Sequence, residues 1–307
     1  MKGRFNMIDL HIHSNHSDGY YTVKKILKMA EEENINTISF CDHNVLGAYE
    51  ELKDMDIKKY YNGKIITGIE FDFVYDKRDF HILGYNFDVE KLKNSKFIDK
   101  RTKEDLMKEE EKNLEFFKEV CKTMGIKLSS DLKITKPSER ANDIIKSDMQ
   151  KHKENDDILD KILGKDRKNS FWLGQVTNPN SPFYIDFTKG LPTAVEIANE
   201  IHKAGGIVVL PHVFEYKSID NIHFLNEMHK LNILDGIECI HSKHNKEQAN
   251  FLINFCKQNN LIMSGGSDFH TDKRQTLGYT ELGEILDKFC LRKENNHYDK
   301  IKYATYL

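Results

Sequence analysis

The sequence predicts an α/β fold in which parallel strands form a barrel-like sheet with helices outside it. Short apolar runs alternate with amphipathic helical patterns, which is the order expected of a parallel sheet covered by helices. Seven apolar runs also carry an imidazole or a carboxylate at or near their ends, which indicates the rim of a barrel rather than a core. These runs are 7–13, 38–43, 65–70, 80–85, 207–212, 236–241 and 261–270.

The N-terminal part of the chain begins this alternation. After the first run, Thr22 is placed to cap a helix whose apolar residues recur at spacings of three and four. A buried strand is predicted at 35–41, followed by a weaker helix at 44–59. Residues 65–75 are predicted to be extended, and the polar turn 76–79 leads back into 80–85, which predicts a hairpin.

The composition changes between residues 96 and 189. A strongly charged helix with one apolar stripe is predicted at 102–122, and broken helical patterns follow at 129–169. No apolar run in this segment ends in a ligand-type residue. We interpret 96–189 as a helical insertion that covers the site and selects the substrate, and we assign 1–95 and 190–307 to the barrel.

The strand–helix alternation resumes after the insertion. Thr193 is placed to cap a helix that the pair Gly205-Gly206 ends. The apolar run that follows is continuous, as buried parallel strands are. The remaining predicted elements are strands at 207–210, 236–240 and 261–265 and helices at 223–231 and 246–258.

Composition excludes several classes of protein. The net charge of −3 over 307 residues does not favour a general nucleic-acid or membrane binder. No long apolar run predicts a membrane span, and Lys2 and Arg4 lead straight into the first strand without an export signal. The five cysteines are odd in number and form no CxxC pair, so we expect reduced thiols and a cytoplasmic protein.

The candidate metal ligands are the imidazoles and carboxylates at the strand ends and in the first loop. They are His11, His13, Asp18, His43, Glu70, His81, His212, Asp268 and His270. Imidazole and carboxylate without thiolate suit Zn(II), Mn(II) or Fe(II). The set exceeds what one four-coordinate ion needs, so we expect two or three ions bridged by a carboxylate such as Glu70. A multinuclear site favours hydrolysis of a phosphate ester.

Each of these residues taken alone has a simpler explanation. A single histidine at a strand end can be a hydrogen-bonded core residue, and Glu70 alone can be a buried acid. A structural explanation must, however, be invoked separately at every one of the strand ends. Asp9 and Asp42 lie beside ligands but are predicted to face away from the metals as structural acids.

The motifs resemble those of the PHP (polymerase and histidinol phosphatase) family, in the family's order. They are Asp9-Leu10-His11-Ile12-His13-Ser14, Ser17-Asp18-Gly19, Cys41-Asp42-His43-Asn44, Gly68-Ile69-Glu70, His81-Ile82-Leu83-Gly84-Tyr85, Pro211-His212 and Gly266-Ser267-Asp268-Phe269-His270. The resemblance implies a distorted (β/α)7 TIM-like barrel with a trinuclear centre. By position, it implies one ion on His11, His13, Glu70 and Asp268, a second on Glu70, His81 and His212, and a third near Asp18, His43 and His270.

The first motifs and the insertion are most similar to the family branch of nucleoside-3′,5′-bisphosphate phosphatases and 5′→3′ exoribonucleases. The resemblance therefore implies a metal-dependent phosphoesterase whose substrate is a small phosphorylated molecule, a nucleotide or a short 5′-phosphorylated oligonucleotide. Two alternatives stay open: a histidinol-phosphate phosphatase, and a non-catalytic PHP module that binds metal. Val213 stands where this branch usually has proline, so the substrate pocket is the part that the resemblance defines least.

Four further residues are candidates for contact with the substrate. His244, or His241 beside it, is placed to protonate the leaving alkoxide or to hold the phosphate. Their spacing fits an exposed loop equally well. Lys243 and Arg101 are candidate phosphate contacts.

Overall fold

The computed structural model describes residues 7–136, 139–216, 219–272 and 276–278. The chain folds as two compact units. The barrel unit consists of Met1–Asp99 and Gly190–Leu307, and the insertion unit is Lys100–Lys189. The boundaries predicted from the sequence are 95/96 and 189/190.

The barrel unit contains one sheet of seven strands, which follow one another in chain order around it. The strands are β1 (Met7–Ile12), β2 (Ile35–Phe40), β3 (Lys64–Tyr75), β4 (Arg78–Tyr85), β5 (Ile207–Leu210), β6 (Gly236–His241) and β7 (Ile262–Gly266). Past the end of β7, Phe269 forms a parallel bridge with Ile12, and its carbonyl accepts a hydrogen bond of 2.9 Å from the His13 amide. The first and last strands thereby nearly close the sheet into a barrel, and the predicted fold class is confirmed.

The barrel is distorted because β4 runs against both of its neighbours, whereas the other neighbouring pairs are parallel. Strands β3 and β4 are joined through Asp76 and Lys77, both with positive φ (47° and 60°). Two such residues make the tight turn that matches the twist of a hairpin. This confirms the predicted hairpin and places residues of β4 beside those of β3.

Helices accompany the strands of the barrel unit. They are α1 (Val23–Glu32), α2 (Gly47–Lys53), α3 (Val89–Leu92), α7 (Ala194–Lys203), α8 (Asn221–Lys230) and α9 (Lys246–Asn259). The Thr22 side chain accepts a hydrogen bond from the Lys25 amide at the start of α1, as predicted. Thr193 forms a reciprocal capping box with Glu196 at the start of α7. The inner faces of these helices and the strands form one apolar core.

The predicted helix 44–59 is wrong at its start and too long. Asn44 has a positive φ of 56°, so it cannot begin a helix. Its side-chain amide instead donates to Asp72 at 2.6 Å. The helix begins at Gly47 and ends at Lys53, and a short 3₁₀ turn follows at Ile57–Lys59.

The insertion unit is helical and has a core of its own. Its α-helices are α4 (Lys103–Thr123), α5 (Ala141–Met149) and α6 (Asp156–Leu163), with a 3₁₀ turn at Lys153–Asn155 and a π-helix at Trp172–Val176. Thr102 and Asp105 form the capping box of α4. Phe117, Phe171 and Phe183 pack together with the apolar sides of the helices. The regular elements described in this segment are helices.

Among the helices in the described ranges, none has both the length and the apolar composition that a bilayer crossing requires. This finding agrees with the lack of a long apolar run in the sequence. The predicted barrel segment extends to residue 307, but residues 279–307 lie outside the described residues.

Gly266 allows the end of β7 to lie against β1, and this contact yields a test. A Cβ atom at this position would lie 2.4 Å from both Cβ and the backbone nitrogen of His11. We therefore expect Gly266→Ala to lower the free energy of unfolding by about 1–3 kcal/mol, because the backbone must move to relieve the overlap. Urea denaturation followed by circular dichroism measures the change.

Gly174 provides the matched control, since a Cβ atom there would have nothing within 4 Å. Gly174→Ala should leave the unfolding midpoint unchanged or slightly higher. Equal midpoints for Gly266→Ala and the wild type would contradict the described packing of β7 on β1.

Candidate metal centre

The predicted ligands meet at one end of the barrel, although they come from strands far apart in sequence. In the described residues they form overlapping groups whose ligand atoms lie within 4.8 Å of one another. Three of these groups correspond to the three sets that the family resemblance implies. They are His11, His13, Glu70 and Asp268; Glu70, His81 and His212; and His13, Asp18, His43 and His270.

The first group is buried at the ends of β1, β3 and β7. His11 and His13 lie two residues apart on an extended chain, so both rings point into the same site. The Nε2 atom of His13 is 3.1 Å from Glu70 Oε2 and 3.1 Å from Asp268 Oδ1. The Nε2 atom of His11 is 3.2 Å from the same Glu70 oxygen. Four ligand atoms thus lie close enough together to bind one cation.

The second group shares Glu70 with the first. Its other oxygen, Oε1, is 2.9 Å from His212 Nε2 and 3.1 Å from His81 Nδ1. The hairpin brings His81 here, since β4 lies antiparallel beside β3. Glu70 therefore presents one carboxylate oxygen to each group, which is the geometry of a bridging ligand.

The third group contains the three predicted residues and, in addition, His13. His270 Nε2 is 3.0 Å from Asp18 Oδ2, and His13 Nδ1 is 3.4 Å from Asp18 Oδ1. The His13 ring stacks with the rings of His43 and His270, at centroid distances of 4.8 and 4.2 Å. His13 consequently belongs to two groups, one at each of its ring nitrogens.

The state of His13 tests whether these residues suit metal ions. Its ring is fully buried, yet neither nitrogen has a hydrogen-bond partner of acceptable geometry. A buried polar group without a partner is costly, and such groups in proteins bind hydrogen-bonding partners or cations. Nitrogen and oxygen donors of this kind fit Zn(II), Mn(II) or Fe(II), and no described cysteine joins the groups.

In these groups the negative charges of the carboxylates and the positive charges of the imidazoles stabilise one another. Burial raises the pKa of Glu70, but the imidazoles of His43, His11 and His81 outweigh it and hold the pKa well below its usual value. For His13, burial lowers the pKa, whereas the negative charges of Asp268 and Glu70, each 3.1 Å from Nε2, raise it to about 9. Metal binding would replace the protons on such imidazoles.

Asp9 and Asp42 are structural acids, as predicted. Asp42 accepts hydrogen bonds of 2.7 Å each from the amide and hydroxyl of Ser14 and from the hydroxyl of Ser17, which orders the loop that carries Asp18. Asp9 accepts from the amides of Ser267, Gly278 and His11 and from the Ser267 hydroxyl. This second acid orders the chain next to Asp268.

The structure distinguishes His241 from His244, the two candidate proton donors at the end of β6 and in the loop that follows. His241 is buried, and its Nε2 lies 3.7 Å from Asp268 Oδ2, within a further group formed with Glu215. The exposed-loop interpretation is therefore wrong for His241. His244 donates from Nδ1 to the Cys239 carbonyl at 3.3 Å, and its Nε2 accepts from the Phe214 amide at 3.5 Å.

His244 is poorly suited to proton transfer as a result. Burial lowers the pKa of its ring to about 4, so the ring is neutral at pH 7, with both nitrogens engaged by the backbone. His241, rather than His244, is thus brought to the metal-ligand groups.

The two candidate phosphate contacts lie in different units. Lys243 Nζ is 2.6 and 2.8 Å from the Glu215 oxygens and 4.0 Å from Asp268 Oδ2, so it reaches the edge of the candidate centre. Arg101 belongs to the insertion unit, where its guanidinium pairs with Glu109. Its contact with phosphate stays a prediction.

Three carboxylates at this end of the barrel were not predicted. Asp72 forms a group with His43 and His81, and its Oδ1 is 3.0 Å from His43 Nδ1. It follows Glu70 by two residues on β3, so the strand alternation could have revealed it. Glu238 lies inside an apolar run that ends in a histidine, and this pattern points to a functional residue less clearly than the spacing of Asp72 does. Glu215 lies in a loop after β5 and has no sequence signal.

A nearly closed barrel with overlapping histidine and carboxylate groups at the ends of its strands is the arrangement of a metal-dependent hydrolase. A family model described as PHP domain matches residues 9–165, which is about half of the chain. The chain belongs to the PHP family, and it is a metal-dependent phosphoesterase.

Similar proteins agree with this assignment. A 5′-3′ exoribonuclease of Haemophilus influenzae is 27% identical over 282 residues, which are 91% of this chain and 94% of that protein. The 5′-3′ exoribonuclease Rnm of Escherichia coli is 28% identical over 81 residues, 26% of this chain and 28% of that protein. The longer match includes both units.

Two solved structures share the fold. A protein of Bifidobacterium adolescentis, provisionally assigned as a metal-dependent phosphoesterase, has a TM-score of 0.59 at 20% identity and covers 92% of this chain and 96% of that one. An amidohydrolase of Chromobacterium violaceum has a TM-score of 0.61 at 18% identity and covers 89% of this chain and 90% of that one. At these identities the likeness supports the fold alone.

The hydrogen bonds that Asp9 accepts can be tested by their contribution to stability. Its two oxygens accept from three backbone amides, none of which can rotate away, so Asp9→Asn must place an amide group against at least one of them. We expect a loss of about 1–3 kcal/mol in the free energy of unfolding, since a buried donor is left unpaired. Urea denaturation of the metal-free protein measures it.

Ser267→Ala is the control, because it removes only the hydroxyl that donates to Asp9 at 2.5 Å. We expect this variant to lose less free energy of unfolding, about 1 kcal/mol. The described network would be refuted if Asp9→Asn unfolded at the same urea concentration as the wild type.

Proposed function

We propose that this chain hydrolyses a phosphate monoester of a nucleotide or of a short 5′-phosphorylated oligonucleotide. The observation that carries the proposal is the sharing of Glu70, whose two oxygens face two separate ligand groups at 2.9–3.2 Å. Adjacent cations at such a position suit the transfer of a phosphoryl group to water. The nucleotide class is supported by the Haemophilus influenzae relative, which is named a 5′-3′ exoribonuclease and matches over 91% of this chain.

The residues proposed to hold two or three divalent ions, Mn, Fe or Zn, are the nine predicted ligands. They are His11, His13, Asp18, His43, Glu70, His81, His212, Asp268 and His270. When bound, such ions lower the pKa of water and neutralise the charge that develops on the phosphoryl oxygens.

Two residues at the edge of the centre are proposed to handle the substrate. Lys243 would bind a phosphate oxygen, because its Nζ lies 4.0 Å from Asp268 and is held there by Glu215. His241 would donate a proton to the leaving alkoxide oxygen, since its Nε2 faces Asp268 at 3.7 Å. The transfer leaves the alcohol product neutral and the imidazole ready to regain its proton from water.

The insertion unit is proposed to be the substrate cap. It has its own helices and core, and the described metal-ligand groups all lie in the barrel unit. An insertion that supplies no ligand to these groups can change in sequence without disturbing them, and can therefore adapt to the alcohol part of different substrates. Arg101, near its start, is the proposed phosphate contact of the cap.

A substrate panel tests the proposed function. Purified protein with Mn²⁺ should release inorganic phosphate from adenosine 5′-monophosphate, 3′-phosphoadenosine 5′-phosphate or a short 5′-phosphorylated RNA, and a chelator should abolish the release. Asp268→Asn should lower kcat/KM at least about a hundredfold, because the loss of a charged ligand removes several kcal/mol of stabilisation from the transition state.

The exposed Asp131, changed to Asn, is the control and should retain full activity. If the protein hydrolysed histidinol phosphate and none of the nucleotides, the proposed nucleotide substrate would be wrong, and the chain would be a histidinol-phosphate phosphatase. Turnover that persisted in Asp268→Asn would refute the proposed centre.

The role of Lys243 has a separate test. Lys243→Met keeps the apolar stem but removes the charge, and we expect KM for the best substrate to rise about 10- to 100-fold, the equivalent of about 1.5–3 kcal/mol for a hydrogen bond to a charged group. Steady-state kinetics at several substrate concentrations measure it.

Lys230→Met is the matched control, since Lys230 also pairs with a glutamate, Glu227, at 2.7 Å but on the helix α8. Its KM should equal that of the wild type. An unchanged KM for Lys243→Met would remove Lys243 from the substrate site.

A further inference from the structure

Glu238 is a fully buried carboxylate in the middle of β6 that belongs to none of the ligand groups found among the described residues. A carboxylate without water is costly unless its oxygens accept hydrogen bonds. The position is therefore one that an apolar residue would fill at lower cost. The partners of Glu238 indicate why an acid stands there.

One oxygen of Glu238 determines the state of the His11 ring. Its Oε1 lies 3.0 Å from His11 Nδ1. An ionised carboxylate only accepts hydrogen bonds, so Nδ1 must carry the hydrogen and donate it. The opposite nitrogen, Nε2, faces the first ligand group, where Glu70 Oε2 lies at 3.2 Å. A cation bound in that group would take the place of the Nε2 hydrogen, while Nδ1 keeps its hydrogen bond to Glu238.

The other oxygen of Glu238 holds a strained backbone. Its Oε2 accepts the His212 amide at 2.9 Å, and the His212 carbonyl accepts the Glu215 amide at 2.8 Å. His212 has a φ of +27°, which a non-glycine residue adopts only when its surroundings enforce it. In this conformation the His212 ring points at Glu70 Oε1, 2.9 Å from Nε2.

We propose that Glu238 is a positioning residue that couples the two ligand groups sharing Glu70. Before any cation binds, it fixes the orientation of the His11 ring in one group and the backbone of His212 in the other, and it would keep the hydrogen of His11 on Nδ1 when a cation takes Nε2. Partners of this kind orient metal-binding histidines, and their loss typically weakens metal affinity by about 10- to 100-fold. The inference rests on the proposed function, because it takes His11 and His212 as metal ligands.

Glu238→Gln separates this role from simple packing. Glutamine has the same shape, and its oxygen can still accept the His212 amide. Its NH₂ group then faces His11 Nδ1, which must become the acceptor, so the ring hydrogen moves to Nε2 and blocks the ligand position. We expect Zn²⁺ titrated calorimetrically into the metal-free variant to bind about 10- to 100-fold more weakly than to the wild type.

A second measurement reports the ring directly. In wild-type protein loaded with Zn²⁺, ¹H–¹⁵N correlation spectra of the imidazoles should show His11 with its hydrogen on Nδ1. This signal should be lost in Glu238→Gln. A wild-type His11 that carries its hydrogen on Nε2 would overturn the proposal even if the variant failed to fold.

Asp148→Asn is the matched control for loss of a buried carboxylate. Asp148 is equally buried but accepts from the amide and hydroxyl of Ser129 at 2.8 and 2.9 Å in the insertion unit. This variant should lose stability and keep the wild-type affinity for Zn²⁺.

The outcomes separate the two proposals. Equal Zn²⁺ affinities in Glu238→Gln and the wild type, with lower stability of the variant, would make Glu238 purely structural and overturn its positioning role. A wild-type protein that binds no Zn²⁺, Mn²⁺ or Fe²⁺ would instead overturn the proposed function, and the role of Glu238 with it.

Discussion

The candidate centre depends on one buried carboxylate. Glu70 is almost fully buried, and its two oxygens lie among the rings of His11, His13, His43, His81 and His212. A charged group in such a place is stable only if opposite charge surrounds it. Imidazoles at the ends of β1, β2 and β5, together with His81 of β4, accordingly converge on this residue of β3. Protonated rings can meet this requirement in the metal-free protein, and divalent cations can replace their protons.

The distortion of the barrel follows from the same requirement. If β4 ran parallel to β3, a connection of a dozen or more residues would be needed between them. The two-residue turn at Asp76 and Lys77 instead pairs His81 with Asp72, one alternation beyond Glu70. The reversed strand thus supplies a ligand close to the shared carboxylate. Glu238 on β6 adds a connection from the opposite side by contacting both His11 and His212.

Local rules predicted the larger part of the fold and of the ligand set. The convergence of parallel strand ends predicted that His11, His13, Glu70 and Asp268 would meet at one end of the barrel. Threonine caps located α1 and α7 to within a residue. The same rules missed Asp72, although it lies two residues after Glu70 on the same strand. They also extended a helix back to Asn44, whose left-handed backbone is held by its hydrogen bonds to Asp72.

By itself, the sequence determined the α/β class, the hairpin, the helical insertion and the residue types that can meet at the barrel's end. These features depend on hydrophobic periodicity and turn chemistry, which act over a few neighbouring residues. Only the tertiary structure decided that His241 and not His244 lies beside Asp268, that Lys243 pairs with Glu215, and that Glu238 holds both His11 and His212. Those contacts join residues that are distant in the chain or lie in one irregular loop, and their geometry follows from packing that no local pattern encodes.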